Sequence, residues 1–386
     1  MGFLSGRVTC CRFRVGKSAP RMFGPEHIEK LDDAAIGRQR VVMGDGSQMG
    51  WIAGDHILDT KFELEKNIVN GVLQFALRVD EIKIPGDLLR AYTQVELEGL
   101  SAENPSGHPS AKQRREARLL AKEKLEQEAK DGRFLRRKSI PVLWDSQSNE
   151  LLYGSASITA VDRLHSLFKQ SFDRPLEFLG AGKRAFELAE PHQTTRAVDD
   201  ATPTAFVANQ GQEIAWVSDE TNRDFLGNEF LLWLWHFSEH VSDTIKLSDD
   251  SEVIFMIARS MSLECPRGQT GKESISSDAP GKLPEALRAL QSGKLPRKVG
   301  LTLVRHGITY EVNLQAETLT IGGAKLPVPE EGDERARLEE RVDLIRSLLE
   351  TIDLTYEAFL LKRLTPDWKK EHDSLKKWLS REPKGS

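Results

Sequence analysis

The sequence predicts an α+β fold: antiparallel sheets and hairpins, a protruding helical arm and a long C-terminal helix. Three observations carry this. Period-two apolar alternation recurs around Asn70-Gly71 and His306-Gly307, and both dipeptides suit a hairpin turn. Helical and strand-like segments alternate irregularly, which argues against a doubly wound parallel sheet. Between Arg335 and Leu364, residues Leu338, Val342, Ile345, Leu349, Ile352, Tyr356 and Phe359 form one helical stripe. No internal repeat is present.

In chain order, Val8 to Val15 alternates like a strand, and Glu26 to Leu31 makes a short helix after Pro25. Gly50 to Ile57 reads as a turn and a short strand. Phe62 to Glu65 and Val72 to Val79 are the two arms of the Asn70-Gly71 hairpin. Lys83-Ile-Pro-Gly-Asp87 opens a helix through Leu88, Leu89, Val95 and Leu100, and residues 101–110 are a Ser/Pro/Gly loop. A polar helix from Ala111 ends at Asp131-Gly132, since glycine commonly follows a helix C-terminus. Ile140 to Asp145 is a strand that turns at Gln147 to Asn149 and returns over Leu151 to Ser155. Ser157 to Phe172 is helical, with Val161, Leu164, Leu167 and Phe168 on one face. Pro175 to Leu179 is a strand, and Thr194 to Gln212 is polar and weakly patterned. Asn222 to His240 is an apolar helix, Asp243 to Ser248 a loop, and Val253 to Met261 a strand. A helix over Leu283 to Gln291 precedes the strand Gly300 to Arg305. Ile308 to Leu314 and Thr318 to Ile321 continue the sheet before a Pro/Gly loop, Gly322 to Glu331. The tail after Pro366 is short and mixed in charge.

A chain of 386 residues has room for two or three domains. Its 29% charged and 39% hydrophobic residues are an ordinary globular balance. The net charge of −5 means that any nucleic-acid contact must come from a patch. Cys10, Cys11 and Cys265 make neither a disulfide framework nor a zinc pattern, which suits a reducing cytoplasm. The N-terminus lacks an apolar stretch of signal-peptide length. The apolar run Phe230 to Phe237 is too short to span a bilayer. The expectation is a cytoplasmic protein with no membrane partner.

The most unusual composition lies between Lys112 and Lys138, with eleven Lys/Arg against five Asp/Glu. Two readings fit it. One is an arm lying along a phosphate backbone. The other is a solvated helix face laced with i,i+4 pairs such as Lys124 and Glu128. In the first reading the phosphate contacts are Lys112, Arg114, Arg115, Arg118, Lys122, Arg133, Arg136, Arg137 and Lys138. Lys183 and Arg184 in Gly180-Ala-Gly-Lys-Arg184 add to that surface; the string itself lacks P-loop spacing. A second basic group runs from Lys282 to Lys298 and contributes Lys294, Arg297 and Lys298. The loop before it offers Arg267 and Gln269. No aromatic residues are interleaved there, which favours duplex backbone contact over stacking on single strands.

Two strings invite an enzyme reading. His236-Phe-Ser-Glu239-His240 fits the pattern of inverted zincins, with Glu311 and Glu317 as distant candidates for a third ligand. Arg305-His306-Gly307 resembles the active-site strand of histidine phosphatases. Only His372 follows it, however, and a hairpin turn explains the same residues.

The order of features along the chain resembles the RdgC family of recombination-associated proteins. The matching pieces are Gly50-Trp-Ile, Val69-Asn-Gly-Val-Leu-Gln-Phe-Ala-Leu-Arg78 and Lys83-Ile-Pro. They continue with Arg137-Lys-Ser-Ile-Pro-Val-Leu-Trp144-Asp, Leu152-Tyr-Gly-Ser-Ala-Ser157, Gly227-Asn-Glu-Phe-Leu-Leu-Trp-Leu-Trp235 and Leu290-Gln-Ser-Gly-Lys-Leu-Pro296. The resemblance implies a non-enzymatic, largely sequence-independent binder of double-stranded DNA. It implies a ring-shaped homodimer that limits access of a RecA-type recombinase, is nucleoid-associated and needs no cofactor. It also implies a central domain over 1–100 and 139–182, an arm over 101–138 and a base over 183–386. Phe134 and Leu135 would then meet the second protomer at the arm tip, and His236 would stand where relatives carry a non-ligand aromatic.

Overall fold

The structure, a computed structural model, describes residues 2–38, 41–42, 46–102, 108–207, 222–265, 271–328 and 332–381. The chain begins with β1 (Val8–Val15), α1 (Pro25–Asp33), β2 (Val41–Val42) and β3 (Gln48–Ile52). A helical turn, α2 (Leu64–Asn67), leads into β4 (Ile68–Val69) and β5 (Val72–Ile82). Asn70 and Gly71 both adopt positive φ, 47° and 75°, as a two-residue hairpin turn requires. The predicted hairpin is present, but its first arm is Ile68-Val69 rather than Phe62 to Glu65. Buried Asn67 enforces this by donating to the carbonyls of Ala53 (2.9 Å) and Gln74 (2.8 Å), which winds the preceding residues into a turn.

Helices α3 (Gly86–Ala102) and α4 (Ala111–Glu128) form the arm. Ser110 and Gln113 cap α4 reciprocally: the Ser110 hydroxyl accepts from the Gln113 amide, and the Gln113 side chain accepts from the Ser110 amide. Ala117, Ala121 and Leu125, four residues apart, are the buried stripe of α4, which packs on α3. Gly132, at φ 85°, reverses the chain into β6 (Leu135–Asp145), which pairs with β5 from Val72↔Asp145 to Ile82↔Leu135. The projecting hairpin therefore takes in α3 as well as the expected arm segment.

The chain continues with β7 (Glu150–Tyr153), α5 (Ile158–Phe172), β8 (Leu176–Phe178), α6 (Ala181–Ala189) and α7 (Thr195–Asp199). After α8 (Phe225–His240) come β9 (Thr244–Lys246), β10 (Glu252–Glu264), β11 (Lys272–Ser277) and α9 (Pro284–Gln291). Strands β12 (Leu295–Arg305), β13 (Ile308–Gln315) and β14 (Ile321–Lys325) precede α10 (Glu334–Arg363) and α11 (Trp368–Leu379). The fold is α+β, and every strand ladder among the described residues is antiparallel. The sheet order is β11-β10-β12-β13-β14-β1-β7-β6-β5-β3-β2.

Strand β1 joins the two halves. Val8 and Cys10 pair with β14, and Cys11 to Arg14 pair with β7. Its period-two side chains serve two cores. Cys11, Phe13 and Val15 enter an aromatic cluster with α5, in which Trp144 meets Phe23 at 5.0 Å and Phe168 at 5.3 Å. Val8 and Cys10 enter the larger core beneath α8, α10 and α11, where Phe230 packs on Tyr356 at 5.0 Å. That core also takes Val72, Leu143 and Leu152, so one sheet runs through both the expected central and base segments. No helix among the described residues is long and apolar enough to cross a membrane.

Candidate nucleic-acid interface

The arm displays its cations because its buried stripe uses only alanine and leucine positions. Lys112, Arg114, Arg115, Arg118 and Lys122 all lie exposed on α4. Lys122 pairs with Glu126 at 3.3 Å. Among the described residues, Lys112, Arg114, Arg115 and Arg118 make no ion pair. The sequence left two readings open for this helix, and the geometry divides it between them. The N-terminal half is a row of cations without ion pairs among the described residues, whereas the C-terminal half is laced with pairs, Lys122 with Glu126 and Lys124 with Glu96 at 3.7 Å.

The arm's root is mixed. Arg133 is held by Glu128 (3.2 Å) and Asp131 (2.5 Å). On β6, Arg137 approaches Asp80 at 3.7 Å and Lys138 pairs with Glu81 at 2.5 Å. The Lys138 hydrogen bond holds the Glu81 carboxyl below its usual range. Arg136 is exposed and makes no ion pair among the described residues; it lies on the same strand face as Lys138 and opposite to Arg137. Lys83 and Lys130, which the sequence reading did not assign as contacts, are also exposed and without an ion pair among the described residues. The signal for Lys83 is Pro85, which ends β5 and leaves the lysine at the strand's exit.

Three expectations are corrected here. Arg184 does not face solvent. It reaches Asp353, Glu187 and Glu150 inside a buried cluster, because α6 packs against α10. Lys294 is 5% exposed and neutralised by Glu273. Phe134 and Leu135 lie at the arm's root rather than its tip: the Phe134 carbonyl accepts the Lys83 amide at 3.0 Å. The apolar side chains exposed along the arm are Val95, Leu119 and Leu120.

Lys183 is half-exposed and pairs with Glu177 at 2.8 Å. Arg297 is shared by Glu264 (2.5 Å) and Glu317 (3.3 Å). Lys298 is exposed with no ion pair among the described residues. Arg267 and Gln269 lie outside the described residues.

The enzyme-like strings sit in structural roles. His236 is 2% exposed, with Nε2 against Ser374 Oγ at 3.3 Å and its ring on Trp378. Burial first, then the neighbouring His240, push its pKa down to about 4. Glu239 accepts the Trp235 indole N–H at 2.7 Å. Glu317 is tied to Asn228 and Glu311 to Arg259, so neither downstream carboxylate joins the histidines. No group of three or more His, Cys, Asp or Glu among the described residues is placed to hold a metal ion. Arg305 is buried, donating to Ser251 (3.0 Å), Glu350 (2.7 Å) and Asp249. His306, at φ 52°, is the first residue of the β12–β13 turn and points into solvent.

What the arrangement offers is a projecting helix pair with a cationic edge, continued at its root by Arg136 and Lys83. Such a surface can neutralise phosphates. No protein-family model matches this chain, and no curated protein matches it.

Proposed function

We propose that the chain is a non-enzymatic, largely sequence-independent binder of double-stranded DNA, with α4 laid along the phosphate backbone. The observation that carries this is the row Lys112, Arg114, Arg115 and Arg118, exposed and without an ion pair among the described residues, on a helix that packs on α3 away from the sheet. Each such cation displaces a condensed counterion when it meets a phosphate, so affinity falls steeply with salt. On the resemblance to the RdgC family, two protomers join as a ring around the duplex, are nucleoid-associated and restrict loading of a RecA-type recombinase.

The test replaces Arg114, Arg115 and Arg118 together with Gln. Losing three phosphate contacts lowers the slope of log K against log salt by roughly 3 and the affinity at 0.1 M salt by about 500-fold. The loss is equal on unrelated sequences. Arg133→Gln, whose charge Glu128 and Asp131 already hold, changes the slope little. An unchanged slope in the triple variant refutes the arm assignment. Slower loss from closed circular than from linear duplex tests the ring.

A further inference from the structure

The sheet is covered on one face only where β10, β12, β13 and β14 run. Val253, Phe255, Leu301, Leu303, Tyr310 and Val312 point into the larger core beneath the helices. The alternate residues point the other way and are mostly half-buried or exposed among the described residues. We infer that its polar half is a second contact surface for the phosphate backbone of a nucleic-acid duplex. This inference rests on the reading that duplex DNA is the ligand.

Two cross-strand rows carry the argument. Ser274, Ser262, Lys298 and Gln315 are successive partners across β11, β10, β12 and β13. At a strand spacing of about 4.8 Å, that row spans about 14 Å. The neighbouring row holds Ser276 and Ser260, then Gly300, Asn313 and Gly322. Ser260 Oγ bonds Asn313 Oδ1 at 2.9 Å. The glycines keep this row low; a Cβ on Gly300 would lie 2.2 Å from the Ala258 carbonyl oxygen. The result is a shallow trough beside a line of hydroxyl, ammonium and amide donors.

The charge balance complements a polyanion. Arg7, Arg259, Lys272, Lys298 and Lys325 are all exposed on or beside this half of the face. Its carboxylates are already engaged: Glu264 holds Arg297, and Glu311 is shared by Arg259 (2.7 Å) and Lys325 (3.9 Å). Arg7, Lys272 and Lys298 make no ion pair among the described residues. Hydroxyls, amides and lysines are the groups that position duplex DNA by its phosphates without reading bases. None of these face residues is aromatic, so the surface offers single strands nothing to stack on. Towards the His306 turn the face becomes apolar, with Ile254, Met256 and Val304, and the polar trough ends there.

The experiment measures duplex binding by Lys272→Gln/Lys298→Gln over a salt series, beside wild type and the arm variant. The expected result is a slope smaller by about 2 and an affinity about 60-fold weaker at 0.1 M salt, the same for unrelated sequences. A photo-crosslinking residue at position 262 should attach to the duplex, while one at exposed Lys246 should not. If wild type binds with the expected slope but the double variant matches it and position 262 stays silent, the face is overturned and the arm reading stands. If wild type does not bind duplex at all, both fall.

Discussion

Asp353 on α10 anchors a buried charge cluster whose removal has a calculable cost. Arg12 Nη1 and Nη2 donate to its two oxygens at 2.7 and 2.8 Å, and Arg184 reaches it from α6. Arg12 Nε also donates to Glu150 at 2.9 Å. The Arg12, Glu150 and Asp353 side chains are only 3%, 5% and 8% exposed. Replacing Asp353 with Leu leaves three arginines, Arg12, Arg14 and Arg184, facing Glu150 and Glu187 alone, with one positive charge uncompensated. Breaking a buried pair in this way costs about 3–5 kcal/mol. Asp353→Asn keeps the shape and an acceptor but loses the charge assistance, and should cost about 1.5–3 kcal/mol. Urea denaturation at pH 7 measures both. The pH dependence adds a second check. Burial opposes ionisation of Asp353, but Arg12 and Arg184 outweigh it and hold the carboxyl below its usual range. A depressed folded-state pKa contributes stability that is complete above about pH 4 and is lost as pH falls further. The gap between wild type and Asp353→Leu should therefore stay constant from pH 7 to 5 and narrow below 4. A Leu variant within about 1 kcal/mol of wild type at pH 7 would refute the argument that the cluster depends on its central carboxylate.

Two further perturbations test the packing around α8. A Cβ on Gly227 would sit 1.8 Å from the Ala316 carbonyl oxygen, so Gly227→Ala must push α8 off the sheet. It should cost about 3 kcal/mol in thermal denaturation, and an unchanged Tm sinks the close-approach explanation. His236 stays neutral in the folded chain, with its pKa pushed down to about 4 from 6.5. The unfolded chain takes up a proton there first, so stability rises with pH between about 4 and 6.5. His236→Leu should remove about 2 kcal/mol of the difference between pH 5 and 7, and a variant with the same pH profile as wild type contradicts the assignment.

Much of the fold was legible because it rests on local chemistry. The Asn70-Gly71 and His306-Gly307 turns, the α10 stripe and the α5 face all lie where their spacing put them. What escaped has physical reasons. Strand β11, Lys-Glu-Ser-Ile-Ser-Ser, shows little apolar alternation because it is an edge strand whose outward residues are Lys272, Ser274 and Ser276. Helix α11 reads in the sequence as a tail of mixed charge, although Leu375, Trp378 and Leu379 dock it beneath α8. Strand β12 begins five residues earlier than expected, since Arg297 and Lys298 read as loop when nothing shows the sheet beside them. The arm's basic excess was visible in the sequence. Which of its cations are free was not, because the partners Glu96 and Asp80 lie on other elements. Arg184 failed for the same reason at longer range, its partner Asp353 being 169 positions away.

The place of β1 in the sheet has a consequence for how the chain is made. Its neighbours are β7, complete at Tyr153, β8, which pairs with Phe13 to Val15, and β14, which begins at Ile321. Strand β1 is thus made long before the strand that pairs with its Val8-to-Cys10 half. Until residue 321 arrives, the Val8-to-Cys10 segment is an unpaired apolar edge. Such a long-range pairing closes slowly and leaves this segment exposed to mispairing through most of synthesis.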